Sequence, residues 1–396
     1  MKIWYFSEQP YYPAWDKVAG PVRIEPPSRL VDPKVAHNLL NGYIDEWMLA
    51  DQLGFNVMVN EHHSTFTCMS VSCMMTLAIL ARQTKNARLL ALGIPVANRN
   101  DPFRIAEEIA YADTMSGGRM EIGLVKGTDY ELSISNNNPA RMMDRYWEAH
   151  DIVKAALTSL DGPFSWEGEY FHYRNVNVIP RCYQQPHPPF WIPCHSGSSA
   201  REAARRGYTM ATFLSGPGAK PTIEAYRDEY LKTFKRSAPL DRLAYLGLFA
   251  LARDEKTAKD RARRSALWLA TEGRTPDGVR LPSGYVSSLD KARVLKDPES
   301  AKRFRELLPN GRMVSNPPTA DELIEVGMMF SGTPDQVFDQ LKTFIGKIGP
   351  FGNLITQTGG ALESSENMDS MRLFATEVWP RLQELEELKE SPVEAA

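Results

Sequence analysis

Eight short apolar segments, alternating with segments of helical spacing, constrain the fold of this 396-residue chain most strongly. The segments predicted as strands are 2–6, 55–59, 88–96, 120–125, 190–194, 209–213, 245–252 and 353–356. The predicted helices are 36–53, 72–83, 101–115, 139–157, 199–206, 223–234, 256–270 and 334–347. Because right-handed crossovers join successive parallel strands, this alternation predicts a (β/α)8 TIM barrel of the α/β class.

An open, doubly wound sheet is the alternative that the same alternation allows. Nucleotide-binding sheets of that kind carry G-x-G-x-x-G after a strand, but here Gly216-x-Gly218 is followed by Pro221 where the third glycine belongs. The chain contains no G-x-x-x-x-G-K-[ST] phosphate loop. We therefore expect a single barrel domain over residues 1–396.

Residues 271–333 form a segment that a minimal barrel does not require, since the loops between strands and helices are usually short. Glycine and proline interrupt it at positions 273, 276, 278, 282, 284, 298, 309, 311, 317 and 318. We interpret it as an insertion near strand 7. It is either a mobile lid over the active site or a surface insertion with short helices of its own.

Charge and composition exclude several functional classes. The chain has 46 basic and 49 acidic residues, a net charge of −3, so we predict no binding of nucleic acid or anionic membranes. No apolar run approaches the roughly 20 residues of a membrane-spanning helix, and the N-terminus lacks the apolar core of a signal peptide. The four cysteines are too scattered for a disulfide framework or a zinc ribbon. We expect a cytoplasmic protein with reduced thiols.

The second predicted strand ends in Glu61-His62-His63, the densest titratable cluster of the chain. Active sites of barrels lie at the carboxyl ends of the strands, and imidazole titrates near neutral pH, so a histidine here suits acid–base catalysis. A structural glutamate–histidine pair that ties the strand to its loop fits the pattern equally well. A metal centre needs a third converging ligand, and we predict none.

The fifth predicted strand ends in His195-Ser196-Gly197-Ser198-Ser199, which leads directly into a helix. Free backbone amides, the helix dipole and several hydroxyls suit a bound phosphate. The alternative is ordinary N-capping of the helix by Ser198 or Ser199. Lys126, at the end of the fourth strand, would be either the cation of such a site or a solvated surface charge.

Four stretches of the sequence resemble one known family. They are Asn60-Glu61-His62-His63, residues 102–127, residues 164–168 continuing through 180–181 to 185–191, and residues 196–199 with 203–207. A weaker similarity covers residues 331–337. On these stretches the chain resembles the bacterial-luciferase-like, flavin-dependent monooxygenases over most of residues 1–235 and patchily in the final third.

The resemblance implies a TIM barrel, in agreement with the strand count, and a two-component, FMN-dependent monooxygenase. Such an enzyme takes reduced FMN from a separate flavin reductase and adds O2 to it as a C4a-peroxyflavin. It then oxygenates a small apolar organic substrate. The resemblance also implies a homodimer.

The resemblance assigns roles to individual residues. His62 matches the family's active-site histidine, and we expect it to be catalytic together with Glu61. The implied cofactor-binding residues are Gly93, Ile94, Lys126, Ser196, Gly197, Ser198 and Ser199. Among them, Gly93-Ile94 matches the segment beside the isoalloxazine ring, which often contains a cis peptide bond. Lys126 replaces a phosphate-binding arginine and loses its bidentate geometry.

Two departures and two alternatives accompany this assignment. Val125 stands where luciferase has a reactive cysteine, and His195 replaces an acidic residue of the family. A deazaflavin-dependent oxidoreductase that transfers hydride would share the fold. A non-catalytic flavin-binding protein would bind FMN without any dependence on His62.

A peroxyflavin decays when water and protons reach it, so the barrel mouth should be covered. We expect the proline-rich loop 10–33 and the 271–333 segment to cover it. Apolar residues that could line the substrate space are Trp4, Tyr11, Tyr12, Trp15, Phe66 and Met69. Core packing is the favoured interpretation for Trp4.

Overall fold

The computed structural model describes residues 1–18, 26–272 and 318–388, with a few isolated positions between 273 and 317. Its strands are β1 (Lys2–Ser7), β2 (Asn56–Val59), β3 (Leu89–Pro95), β4 (Met120–Val125), β5 (Phe164–Glu167), β6 (His172–Val176), β7 (Phe190–Pro193), β8 (Thr209–Phe213), β9 (Leu243–Leu251), β10 (Met329–Gly332) and β11 (Asn353–Thr358). Its α-helices are α1 (Pro33–Gln52), α2 (Cys73–Gln83), α3 (Pro102–Ser116), α4 (Leu132–Ser135), α5 (Met142–Thr158), α6 (Gly197–Arg205), α7 (Ala219–Phe234), α8 (Glu255–Glu272), α9 (Ala320–Glu325), α10 (Pro334–Ile348), α11 (Ser364–Leu373) and α12 (Trp379–Gln383).

Eight parallel strands close into a barrel in the order β1-β2-β3-β4-β7-β8-β9-β11, and β11 pairs with β1. These are the eight strands that the sequence predicts, so the (β/α)8 barrel is confirmed. Helix starts follow the expected capping chemistry: the Asp101 side chain accepts from the Arg104 amide, and Pro102 occupies the first turn of α3.

The alternation of side chains along each strand separates an inner core from an outer one. Trp4 and Phe6 of β1 pack inside the barrel with Ile355 of β11, whereas Tyr5 points outward to the helices. Trp4 is 1% exposed and packs edge-on against Trp191, with ring centroids 5.2 Å apart. The predicted core role of Trp4 is confirmed.

Three short strands, β5, β6 and β10, were not predicted from the sequence. β5 and β6 form an antiparallel hairpin outside the barrel. β10 pairs with the second half of β9, while β8 pairs with its first half. Because α9 and β10 belong to the predicted 271–333 insertion, the end of that segment contributes to the barrel wall. Residues 273–317, the greater part of the 271–333 segment interpreted as a lid or a surface insertion, lie almost entirely outside the described residues.

Glu46 of α1 is a fully buried acid between the barrel and α11. The Tyr5 hydroxyl donates to its Oε2 at 2.6 Å, and the Asn367 amide donates to its Oε1 at 3.1 Å. Burial raises the pKa of Glu46 to about 7, although these hydrogen bonds oppose the shift. The folded chain therefore binds a proton at Glu46 more tightly than the unfolded chain does.

Replacing Glu46 by glutamine should flatten the dependence of stability on pH. In the wild type the contribution of Glu46 is fully present below its ordinary pKa near 4.5 and is lost as pH rises to about 7. This predicts a loss of about 2 to 3 kcal/mol between pH 5 and pH 8 that Glu46→Gln does not show. Urea unfolding at both pH values measures it, and equal losses in the two proteins would contradict the assignment.

Candidate active site

His62 lies at the carboxyl end of β2, where the sequence places it, and its side chain is 14% exposed. Its Nδ1 is 3.4 Å from the Glu131 carboxylate and 3.2 Å from the Tyr130 hydroxyl. Both partners belong to the 3-10 turn Asp129–Glu131 that follows β4. Neither partner was predicted from the sequence, because Glu131 lies 69 positions from His62 and no motif links the two residues.

Glu131 is buried, and its carboxylate accepts several hydrogen bonds. The His63 amide donates to Oε1 at 2.7 Å, and the Thr128 hydroxyl donates to Oε2. Burial raises the pKa of Glu131, but the adjacent His62 and these hydrogen bonds outweigh it and lower the pKa to about 2. A charged carboxylate only accepts hydrogen bonds, so Glu131 is placed to receive one from Nδ1 of His62.

Glu61 is turned away from His62 and is fully buried. Its carboxylate pairs with Arg99, lies 3.1 Å from Nε2 of His63, and accepts from the Cys73 amide at 3.2 Å. These bonds tie the end of β2 to the start of α2 and to the loop after β3. They favour the structural glutamate–histidine pair for Glu61 and His63 over the catalytic role that we predicted for Glu61.

Gly93 lies where β3 and β4 come closest, and the Leu92–Gly93 peptide bond is cis. A Cβ at Gly93 would overlap the Val125 side chain and approach the Gly123 carbonyl oxygen to 2.9 Å, so only glycine fits here. The side chain of Ile94 is buried in the outer core. If this segment contacts a ligand in the mouth, it does so through its backbone and not through Ile94.

Asn98, just after β3, has a buried side-chain amide whose Nδ2 and Oδ1 both lack a hydrogen-bond partner within the part of the chain that the structure describes. The amide lies directly over Gly127, where a Cβ would overlap it and where φ is +95°. Gly127 follows Lys126 at the end of β4. Because buried amides are almost always paired, this one is available to a ligand or a water with both acceptor and donor groups.

Residues 196–199, the serine turn, cap α6. The N-cap is Ser196, whereas the capping alternative named Ser198 or Ser199, and the Ser199 hydroxyl completes a capping box by accepting from the Ser196 amide. The Ser196 hydroxyl accepts from the Ser199 amide at 3.3 Å and lies 2.9 Å from the Ser198 hydroxyl. A Cβ at Gly197 would be 3.3 Å from Nη1 of Arg201, so this guanidinium lies over the first turn. The turn thus presents exposed hydroxyls, helix amides and a cation together, which suits a phosphate.

Lys126 and the serine turn follow β4 and β7, which are neighbours in the barrel. The predicted phosphate-binding residues therefore share one side of the mouth. His195, at the same strand end, packs edge-on against Phe213 with ring centroids 5.9 Å apart. Arg201 was missed by the sequence analysis because a basic residue inside a surface helix carries no signal of its own.

Part of the predicted cover is present. The Tyr11 amide and the Trp15 indole both donate to the Phe66 carbonyl, at 2.8 and 3.2 Å. All three rings are buried, so residues 10–18 and the loop after β2 close over one side of the mouth. Tyr12, by contrast, points to the Glu363 carboxylate near the surface, at 3.0 Å.

Cys68, Cys73, Cys182 and Cys194 are buried, and none forms a disulfide. Among the described residues, no group of three or more histidine, cysteine, aspartate or glutamate side chains is placed to hold a metal ion. In the same residues, no helix has both the length and the apolar character needed to cross a membrane.

Several known proteins are similar in sequence. An uncharacterised protein of Sinorhizobium fredii is 34% identical over 47% of this chain and 55% of its own length. The oxygenase component of the flavin-dependent trigonelline monooxygenase of Acinetobacter baylyi is 28% identical over 45% of this chain and 50% of its own. These matches span only about half of the two relatives. An alkanal monooxygenase alpha chain of Photorhabdus luminescens is 24% identical over 85% of this chain and 90% of its own.

Solved structures share the fold over nearly the whole chain. Monooxygenase RslO1 from Streptomyces bottropensis superposes with a TM-score of 0.72 at 20% identity, covering 96% of this chain and 100% of its own. The oxygenating constituent of 3,6-diketocamphane monooxygenase from Pseudomonas putida, in complex with FMN, superposes with a TM-score of 0.68 at 18% identity. The superposition covers 96% of this chain and 98% of its own. An F420-dependent secondary alcohol dehydrogenase superposes with a TM-score of 0.64 at 14% identity, covering 98% of this chain and 99% of its own.

The sequence profile described as luciferase-like monooxygenase matches residues 39–349. This span includes His62, Glu131, Asn98 and the serine turn, and it covers well over half of the chain. The chain belongs to the luciferase-like monooxygenase family.

Proposed function

We propose that this chain is the oxygenase component of a two-component, FMN-dependent monooxygenase. It would take reduced FMN from a separate reductase and, through a C4a-peroxyflavin, insert one oxygen atom of O2 into a small apolar organic substrate. The other oxygen atom leaves as water, and the flavin leaves oxidised. The observation that carries the proposal is the His62–Glu131 pair at the mouth of the barrel.

The residues at the mouth suit FMN. The exposed hydroxyls of the serine turn, the amides of α6 and the Arg201 guanidinium match a phosphate. The unpaired amide of Asn98 matches the edge of an isoalloxazine ring, which carries both donors and acceptors. Lys126, at the neighbouring strand end, adds positive charge on the side of the phosphate. When bound, FMN would supply the reducing electrons and the site of O2 activation.

His62 is the group placed to hold and move a proton. Glu131 fixes the ring and its tautomer through Nδ1, which leaves Nε2 for a ligand in the mouth. A histidine held in this way can donate a hydrogen bond when protonated and accept a proton when neutral. Tyr11, Trp15 and Phe66 exclude water from this side, which limits stray protonation.

The choice of flavin separates this proposal from deazaflavin-dependent hydride transfer. We would titrate the protein with reduced FMN and with reduced F420 without oxygen, and follow flavin fluorescence. Tighter binding of reduced FMN, followed by O2 consumption when air is admitted, is the expected result. Tighter binding of F420 without O2 consumption would favour hydride transfer. FMN binding followed by reoxidation at the same rate in the wild type and in His62→Ala would favour a non-catalytic flavin-binding protein.

We also propose a homodimer in the cytoplasm. Helices α2 and α3 pack side by side and expose large apolar side chains on a common outer surface. These side chains are Met75, Ile79, Tyr111 and Met115, each between 46% and 67% exposed. Two copies that pair these helices about a two-fold axis would bury this surface.

The double substitution Met75→Glu and Ile79→Glu should convert the dimer to a monomer, because it places charge at the centre of the proposed contact. Light scattering after size-exclusion chromatography measures the mass. Leu231→Glu, at an equally exposed apolar residue on α7, is the matched control and should leave the mass unchanged. A double variant with the wild-type mass would place the interface elsewhere.

A further inference from the structure

Gln357 lies next to the last residue of β11, at the carboxyl end of the barrel. The inward-facing residues of β11 alternate with outward-facing ones: Asn353 accepts from the Trp4 indole at 3.0 Å, and Ile355 belongs to the inner core. Gln357 continues this inward series, while Thr358 bonds to outward-facing Tyr5. The carboxamide of Gln357 therefore points into the barrel below its mouth.

This carboxamide is 1% exposed, and its Nε2 has no hydrogen-bond partner among the described residues. Its neighbours across the two adjoining strands are apolar, since Gln357 is in register with Phe6 of β1 and Leu248 of β9. A buried donor without a partner destabilises a fold, whereas a methionine of similar size would pack here without that cost. Packing alone does not explain a glutamine at this position.

Polar side chains just beyond the neighbouring strands β1 and β2 bond to each other. Asn60 follows β2, and its Nδ2 donates to Oε1 of Glu8, just beyond β1, at 3.4 Å. Oδ1 of Asn60 accepts from the Cys68 thiol at 3.7 Å. These side chains are 6% exposed or less. The wall of the mouth formed by the ends of β11, β1 and β2 is therefore polar. On this wall, Nε2 of Gln357 is a donor without a partner among the described residues.

We propose that Nε2 of Gln357 donates a hydrogen bond to an acceptor oxygen of the organic substrate, a carbonyl or a carboxylate. The apolar part of the substrate would lie against Phe6 and Leu248. This inference rests on the proposed monooxygenase function and names the polar group that its substrate carries. It makes Gln357 a residue that determines substrate specificity, without any part in proton transfer.

The test uses pairs of compounds that differ only in the acceptor: cyclohexanone with methylenecyclohexane, and 2-octanone with 2-methyl-1-octene. Ligand-observed NMR measures their binding to the full chain, with and without reduced FMN, in the absence of oxygen. We expect the wild type to prefer each ketone by about fivefold to tenfold. Gln357→Met removes the donor and should reduce the preference to less than twofold. Gln357→Glu should disfavour the ketone further, because its carboxylate would face the ketone oxygen with a second acceptor.

Two further readouts separate this role from others. Gln357→Met should leave the affinity for reduced FMN unchanged and should not lower Tm, because it removes an unpaired buried donor. Gln383→Met, at an exposed position on α12, is the control and should keep the ketone preference. The proposal is wrong if the wild type binds both members of each pair equally or binds neither. It is also wrong if Gln357→Met weakens FMN binding while keeping the preference, or lowers Tm.

A failure of the proposed function would look different. If the chain does not bind FMN, the ketone preference and its loss in Gln357→Met are still measured on the flavin-free protein. If the chain binds FMN but shows no ketone preference, only the inference about Gln357 fails.

Discussion

His62→Ala is expected to shorten the lag between the addition of O2 to the reduced-FMN complex and the formation of oxidised FMN by roughly 10- to 100-fold. The reason is the loss of the imidazole that Glu131 holds at the mouth. FMN affinity should stay within about twofold of the wild type, because the proposed phosphate site lies on α6 and not on β2. Stopped-flow absorbance measures the lag, and an anaerobic titration measures the affinity.

His63→Ala is the matched control, since its ring bonds to Glu61 and not to Glu131. It should keep most of the lag. Glu131→Gln keeps the shape of the side chain but removes the charge that fixes the His62 ring, so its lag should fall between those of His62→Ala and the wild type. If His62→Ala has the same lag and turnover as the wild type, His62 has no part in the mechanism.

Ser199→Asp is expected to weaken FMN binding by roughly 100-fold, which corresponds to about 2.7 kcal/mol. The new carboxylate would stand in the first turn of α6, where the serine hydroxyls and the Arg201 guanidinium are proposed to hold the phosphate. An acid in the first turn of a helix is favourable for the helix itself, so Tm should not fall. A loss of affinity would then reflect repulsion and not unfolding.

Riboflavin provides the control ligand for this prediction, because it has the ring system of FMN and lacks the phosphate. Ser199→Asp should bind riboflavin as the wild type does, and Ser199→Ala should lose only a few-fold in FMN affinity. Titrations followed by fluorescence quenching measure the affinities of the variants for FMN and for riboflavin. Unaltered FMN affinity in Ser199→Asp would remove the serine turn from the cofactor site.

The barrel could be predicted from sequence because each of its eight strands is an apolar run that alternates with an amphipathic helix. β5 and β6 were missed because one hairpin with alternately exposed residues carries no such pattern. β10 was missed because it ends in a glycine and follows a segment rich in glycine and proline. Both failures concern short strands that gain their stability from tertiary pairing.

The parts of the candidate site that depend on local sequence could be predicted. His62 and the serine turn follow from their positions at strand ends. Glu131, Asn98 and Gln357 do not, because what distinguishes them is a contact or an unpaired buried atom that exists only in the folded chain. Glu61 illustrates the opposite case. Its residue type and its position at a strand end suggested catalysis, whereas its burial against Arg99 and Cys73 favours a structural role.

The measurement that tests the central claim most directly is rapid mixing of the wild-type protein. The reduced-FMN complex, prepared without oxygen, is mixed with oxygenated buffer, and flavin absorbance is followed. The proposed function predicts a lag before oxidised FMN forms, during which a flavin–oxygen adduct absorbs at a wavelength distinct from that of oxidised FMN. Immediate reoxidation, at the rate of free reduced FMN, would contradict the monooxygenase proposal.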